Sequence, residues 1–175
     1  MITKEMRNNR TMSTISSIFS FPNPVNEVAA RIVAGMVVLL TLATIISGQT
    51  WLMLILVYGF LARVAAGPTL SPMALIATKV LAPRLAKPQP VPGPPKRFAQ
   101  TIGLAFSGTA LALHFIGGWT LAANSLLGVL ALFATLESVA GFCAGCFVFN
   151  QLMRIGMIPE SVCKECAILS QPSTD

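Results

Sequence analysis

The chain has 175 residues, of which 54% are hydrophobic and only 10% charged, with a formal net charge of +6. A soluble domain carries about 25% charged residues, so this chain lacks the polar surface to face water on all sides and reads as an integral membrane protein. The positive charge does not indicate nucleic acid: no base-reading motif accompanies it, and the basic residues cluster between apolar segments, as in cytoplasmic loops that meet anionic headgroups.

Residues 1–22 form a polar tail, expected to be flexible, that is not a secretory signal peptide, because no small-residue cleavage site follows the first apolar run. Asn23-Pro24 predicts a helix start, with Asn as cap and Pro in the first turn, and Glu27 then suits the helix dipole. Four apolar segments follow: Ile32 to Gln49, Thr50 to Ala66, Phe98 to Gly118, and Asn124 to about Phe149. Each approaches the roughly 20 residues that a hydrocarbon core of about 30 Å requires. The tips at Gly48-Gln49-Thr50 and Gly117-Gly118-Trp119-Thr120 hold no Lys or Arg, whereas Arg31, Lys79, Arg84, Lys87, Lys96, Arg97 and Arg154 all fall at the other ends. The positive-inside rule therefore predicts four spans with both termini cytoplasmic, and Trp51 and Trp119 at the outer interface.

Between spans two and three, Met73 to Leu81 is too short to cross and reads as an interfacial helix. Lys87 to Pro95 is proline-dominated and predicts an extended linker. The expected architecture is all-α: one four-helix membrane bundle over 23–169, a short interfacial helix, a cytoplasmic tail bearing a CxxC pair, and a flexible end at 170–175.

All four cysteines occur in CxxC pairs, Cys143/Cys146 and Cys163/Cys166. Complete pairing at this spacing indicates sulfurs that meet or share one ion. Cys143 and Cys146 share a helix face. Placed in the C-terminal half of the fourth span, they have the helix dipole against a thiolate. Arg63, near the cytoplasmic end of span two, lies at a matching depth and either favours that thiolate or snorkels to the headgroups. Glu137 is the one acidic residue deep in a span, and such groups are costly and functional by default. It either relays protons, with His114 as a partner, or serves as helix glue bonded to Ser107 or Ser138. Cys163 and Cys166 follow the turn-like Gly156-Met157-Ile158-Pro159 and are expected on the accessible cytoplasmic surface.

Several motifs resemble the bacterial membrane family called domain of unknown function 4395. They are Pro24-Val25-Asn26-Glu27-Val28-Ala29-Ala30-Arg31, Arg63-Val64-Ala65-Ala66-Gly67-Pro68-Thr69-Leu70-Ser71-Pro72, Pro94-Pro95-Lys96-Arg97-Phe98-Ala99-Gln100, and Leu136-Glu137 leading to Gly141-Phe142-Cys143-Ala144-Gly145-Cys146. The resemblance implies a multi-pass protein of a bacterial cytoplasmic membrane. It also implies thioredoxin-like or rhodanese-like partners, and so thiol or sulfur chemistry.

Three readings of the cysteines stand side by side. In the redox reading, Cys163 and Cys166 exchange with a partner, Cys143 and Cys146 receive the electrons, Arg63 tunes the thiolate, and Glu137 handles protons for a carrier such as a membrane quinone. In the metal reading, C-x2-C-x16-C-x2-C matches zinc-ribbon spacing, and Cys143, Cys146, Cys163 and Cys166 hold a structural zinc in a non-catalytic scaffold. In the third, Cys143 or Cys163 carries a persulfide. No phosphate-binding glycine loop or histidine cluster points to a nucleotide enzyme or a histidine-rich metal centre.

Overall fold

The computed structural model describes residues 22–159 together with 162 and 163. The expectations for the N-terminal tail, for Cys166 and for the C-terminus lie outside these residues. Four helices are long and apolar enough to cross a membrane: Glu27–Ser47, Thr50–Thr69, Gly93–Gly117 and Thr120–Ala140. The first is helix α1 (Glu27–Ser47), and the second is α2 (Thr50–Ala66) with a 3-10 turn after it. The third is α5 (Gly93–Gly117), and the fourth is α6 (Thr120–Thr135) ending in a π turn at Leu136–Ala140. Between α2 and α5 lie α3 (Pro72–Ile76), a π turn (Ala77–Leu81) and α4 (Ala82–Leu85), and after the fourth span comes α7 (Ala144–Arg154).

The spans pack as a ring in which α1 touches α2 and α6, and α5 touches the same two. The interior is built from Val37, Met53, Leu56, Phe60, Ala110, Ala123 and Leu127. Small residues bring the helices close. A Cβ on Gly103 would lie 2.2 Å from the Phe60 ring, so α2 and α5 meet there only because position 103 has no side chain. Buried Thr41, Thr44 and Ser107 donate their hydroxyls to carbonyls of their own helices, those of Val37, Leu40 and Gly103, so none is left unsatisfied. Leu39, Ile46, Leu54, Leu61, Leu121 and Leu132 point outward and are exposed. A ring of helices that is apolar outside as well as inside is the pattern of a bundle solvated by lipid, and the chain is a multi-pass membrane protein.

Both tips match the expected hairpins. Gly48 and Gly118 end their helices in the left-handed conformation, and α2 and α6 restart two residues later. At the opposite end several boundaries differ from the sequence reading. The first helix is capped by Asn26, whose side chain accepts from Val28 N–H, and not by Asn23, which accepts from Gly93 N–H. Val25-Asn26 pairs antiparallel with Pro90-Val91, a two-residue ladder joining the start of α1 to the segment before α5. The extended linker therefore stops at Pro92, because Pro94 and Pro95 occupy the first turn of α5, where a missing N–H costs nothing. The short helix runs from Pro72 to Leu85, further than expected. It widens into a π turn before Pro83, which has no N–H for the Lys79 carbonyl and would clash with it in a regular helix.

The largest difference is in the fourth span. The apolar run to Phe149 is not one helix. Gly141 adopts φ 69° and closes the π turn, its N–H donating to Glu137 O while Phe142 N–H donates to Leu136 O. Arg31 stabilises this end by donating to the carbonyls of Ser138 and Val139. The chain then turns and restarts as α7, which packs on α5.

Candidate functional site

The break in the fourth span reverses the electrostatics expected for the first cysteine pair. Cys143 is not in the C-terminal half of a helix. It is the N-cap of α7, with φ −92° and ψ 101°, and its sulfur accepts from Cys146 N–H at 3.3 Å. A sulfur there faces the unpaired N–H groups and positive dipole end of the helix, which favour thiolate. The Cys143 thiol is held below its ordinary range, first by the Cys146 thiol donating to it, then by Lys96 and the Cys146 N–H, against burial and Glu137. Cys146 is pushed up by its role as that donor, by burial and by the Cys143 charge. Of two cysteines three residues apart, one is set up as a thiolate and the other as its protonated neighbour. Both are free and half-buried.

The cation beside the sulfurs is Lys96, which the sequence reading left in a loop. It sits in the first turn of α5 with its side chain 8% exposed, its ammonium 2.7 Å from Glu27 and 2.9 Å from Glu137. Three helix ends thus converge: Glu27 from the start of α1, Lys96 from the start of α5, and Glu137 from the last turn of the fourth span. The ammonium neutralises the carboxylates, and its field reaches both sulfurs. The signal for Lys96 was present in its spacing. Once Pro94 and Pro95 are taken as helical, Lys96, Gln100, Gly103 and Ser107 follow at i, i+4, i+7 and i+11, one inward face of α5.

Arg63 is drawn elsewhere. Only 4% exposed, it donates through Nε to Gln100 Oε1 at 2.8 Å, reaches Ser71 Oγ with Nη1 at 3.5 Å, and lies over the Phe60 ring with 4.5 Å to the centroid. Its Nη2 is buried without a hydrogen-bond partner among the described residues. Arg63 therefore neither snorkels to an interface nor makes a hydrogen bond to sulfur. It is one layer behind Lys96, fixing Gln100. His114 is at the far end of α5, where its Nε2 is 3.1 Å from Thr50 Oγ1. Eighteen residues separate it from Lys96, about 27 Å along the helix, so it forms no pair with Glu137. The depth match failed because Glu137 lies in the terminal turn of its span, not deep inside it.

Cys163 is not on an accessible surface. It is 4% exposed, packed on Phe149 among Phe98, Met153 and Ile158, and it is disulfide-bonded. The tilted rings of Phe98 and Phe149, 5.6 Å apart, give the returning chain an apolar seat once Gly156 has turned it back. Among the described residues no three His, Cys, Asp or Glu side chains are gathered to hold a metal ion.

Two spaces open on the dithiol. The first is a groove of about 530 Å³ between the Val91-Pro92 segment and α7, lined by Lys96, Cys143, Cys146, Asn150, Gln151 and Arg154 among others. The second is an apolar cleft of about 170 Å³ between the spans, which Cys143 borders and Cys146 does not.

No curated protein and no solved structure matches the chain. A family model described as a domain of unknown function matches residues 25–154, which takes in all four spans, the Lys96 ion pairs and both cysteines of α7. The chain belongs to that family, DUF4395.

Proposed function

We propose that this protein is a membrane-embedded thiol–disulfide redox protein whose working pair is Cys143 and Cys146. The observation that carries the reading is the N-cap position of Cys143, with Cys146 hydrogen-bonded to it and Lys96 alongside. A stabilised thiolate favours the dithiol over the disulfide, so the oxidised pair is a comparatively strong oxidant. In exchange, an incoming dithiol attacks the Cys143–Cys146 disulfide, a mixed disulfide forms, and the partner's second thiolate resolves it. The electron pair ends on the two cysteines, with Cys143 leaving as the favoured thiolate.

The open groove supplies the approach for a thioredoxin-like or rhodanese-like protein presenting a loop with its own cysteine. Cys163 is buried on Phe149 and does not line the groove, so exchange runs through Cys143 and Cys146. The cluster of Arg31, Lys79, Arg84, Lys87, Arg97 and Arg154 at the end that carries the cysteines supports reading this end as the cytoplasmic face of a bacterial cytoplasmic membrane, with both termini on that side. Pro72–Leu85 presents Ile76, Val80 and Leu85 outward and lies at the interface.

The test is site-resolved alkylation against pH in the purified, reduced protein. Cys143 should react faster than Cys146 at every pH below the ordinary thiol range, with its half-maximal rate at the lower pH. Equal rates and equal midpoints for the two would remove the reading.

A further inference from the structure

The apolar cleft is built unlike a gap left by imperfect packing. It is walled by Val33 and Val37 of α1, Phe106 of α5 and Leu130 and Ala134 of α6, all span residues. Its lining includes Phe133 and Val148, which are exposed on the outside of the bundle, so the cleft is open to a molecule arriving from the lipid. The side chains that bring polar atoms to its lining are Gln100, Glu137 and Cys143. Gln100 turns its oxygen to Arg63 at 2.8 Å and keeps its NH2 group free to donate. The volume of about 170 Å³ compares with the roughly 150 Å³ apolar cavity that takes up benzene, so one substituted six-membered ring fits. An apolar entry, a ring-sized chamber, an amide donor and one redox-competent sulfur at the inner end describe the requirements of a single chemical class.

We propose that the cleft binds a lipid-soluble quinone, which reoxidises the Cys143–Cys146 dithiol. This rests on the redox reading above and names its electron acceptor. The Cys143 thiolate adds to a ring carbon and forms a C–S bond. Cys146 sulfur then attacks Cys143 sulfur, the S–S bond forms, the C–S bond breaks, and its electron pair returns to the ring. The dithiol loses two electrons and the quinone gains them. The two protons that complete the hydroquinone come from the Cys146 thiol and from water in the open groove, by way of Glu137. Because Cys143 borders both spaces and Cys146 only the groove, Cys143 is the sulfur that meets the ring, and Cys146 the one that meets the water-soluble partner.

The experiment uses the full chain in lipid nanodiscs, reduced and kept anaerobic, with a benzoquinone carrying a ten-carbon tail as one oxidant and a water-soluble disulfide as the other. Quinone reduction is followed by absorbance, and thiol loss by alkylation and mass. Two thiols should disappear for each quinone reduced. Ala134→Leu and Ala34→Leu, which narrow the cleft from α6 and α1, should each lower the ratio of quinone-driven to disulfide-driven oxidation at least tenfold. The soluble disulfide shows in the same samples that the dithiol is intact. If that disulfide oxidises the pair while the quinone is not reduced, or if neither variant moves the ratio, the cleft holds only lipid and the proposal falls with the redox reading standing. If neither oxidant converts the pair, both fall.

Discussion

Replacing Lys96 by Met tests how the site is held together. The Lys96 ammonium is 2.7 Å from one carboxylate and 2.9 Å from the other, in a side chain 8% exposed. At an effective dielectric of about 20, each contact is worth about 6 kcal/mol of gross attraction, most of it offset by desolvation. The two lengths hold the Glu27 and Glu137 oxygens within about 5.6 Å of each other, where two unscreened charges repel by at least about 3 kcal/mol. The Met side chain fills similar space but leaves that repulsion unanswered, so the loss should match the about 3–5 kcal/mol seen when one partner of a buried pair is removed. For a chain of this length that is a fall in melting temperature of about 6–20 °C, read by thermal unfolding in one fixed detergent. Adding Glu27→Gln and Glu137→Gln to Lys96→Met removes the repulsion and should recover at least half of the loss. A single variant that melts within about 2 °C of the parent, or a triple variant no better than the single, would refute the reasoning.

Lys96→Met should also raise the pH at which Cys143 alkylates half-maximally, because a nearby cation favours thiolate and its loss favours the thiol; an unmoved midpoint would leave the helix end and Cys146 as the sole causes. Cys143→Ser keeps an N-cap acceptor and should change stability by only a few tenths of a kcal/mol, whereas Cys143→Ala should cost about 0.5–2 kcal/mol, both from denaturation. Both should abolish thiol cycling. Gly145→Ala places a Cβ 2.6 Å from the Ala99 Cα, which belongs to backbone and does not yield easily; overpacking of this kind costs about 1–3 kcal/mol, and a thermal shift within error would show that α7 does not pack on α5 as described.

The spans were legible because apolar length and the placement of Lys and Arg are properties of the chain itself. Both tips announced themselves through glycine. The break at Gly141 did not, since Gly141, Gly145 and their apolar neighbours are as compatible with a continuous membrane helix as with a left-handed stop. The stop is set by tertiary contacts, in which Arg31 binds the last carbonyls of the π turn and Ala99 receives the bare face of Gly145. That one boundary inverted the dipole argument for Cys143. Lys96 was missed for a related reason: two prolines before it were taken as linker, although a helix tolerates prolines in its first turn. Arg63 and Glu137 were singled out as ionisable groups in apolar segments, but depth along a helix does not say which neighbour a side chain faces. Arg63 met Gln100 and Phe60, and Glu137 met Lys96.

The central claim is that Cys143 and Cys146 work as one redox pair. Native membranes carrying the full chain should be acid-quenched, alkylated before and after reduction, and read by peptide mass at each cysteine. The account predicts that Cys143 and Cys146 convert together between free and disulfide forms, and that Cys143→Ser leaves Cys146 as the cysteine held in a mixed disulfide with the partner. Both cysteines staying free under every oxidant, and becoming alkylatable only after a chelator is added, would contradict it and return the four sulfurs to a structural metal site.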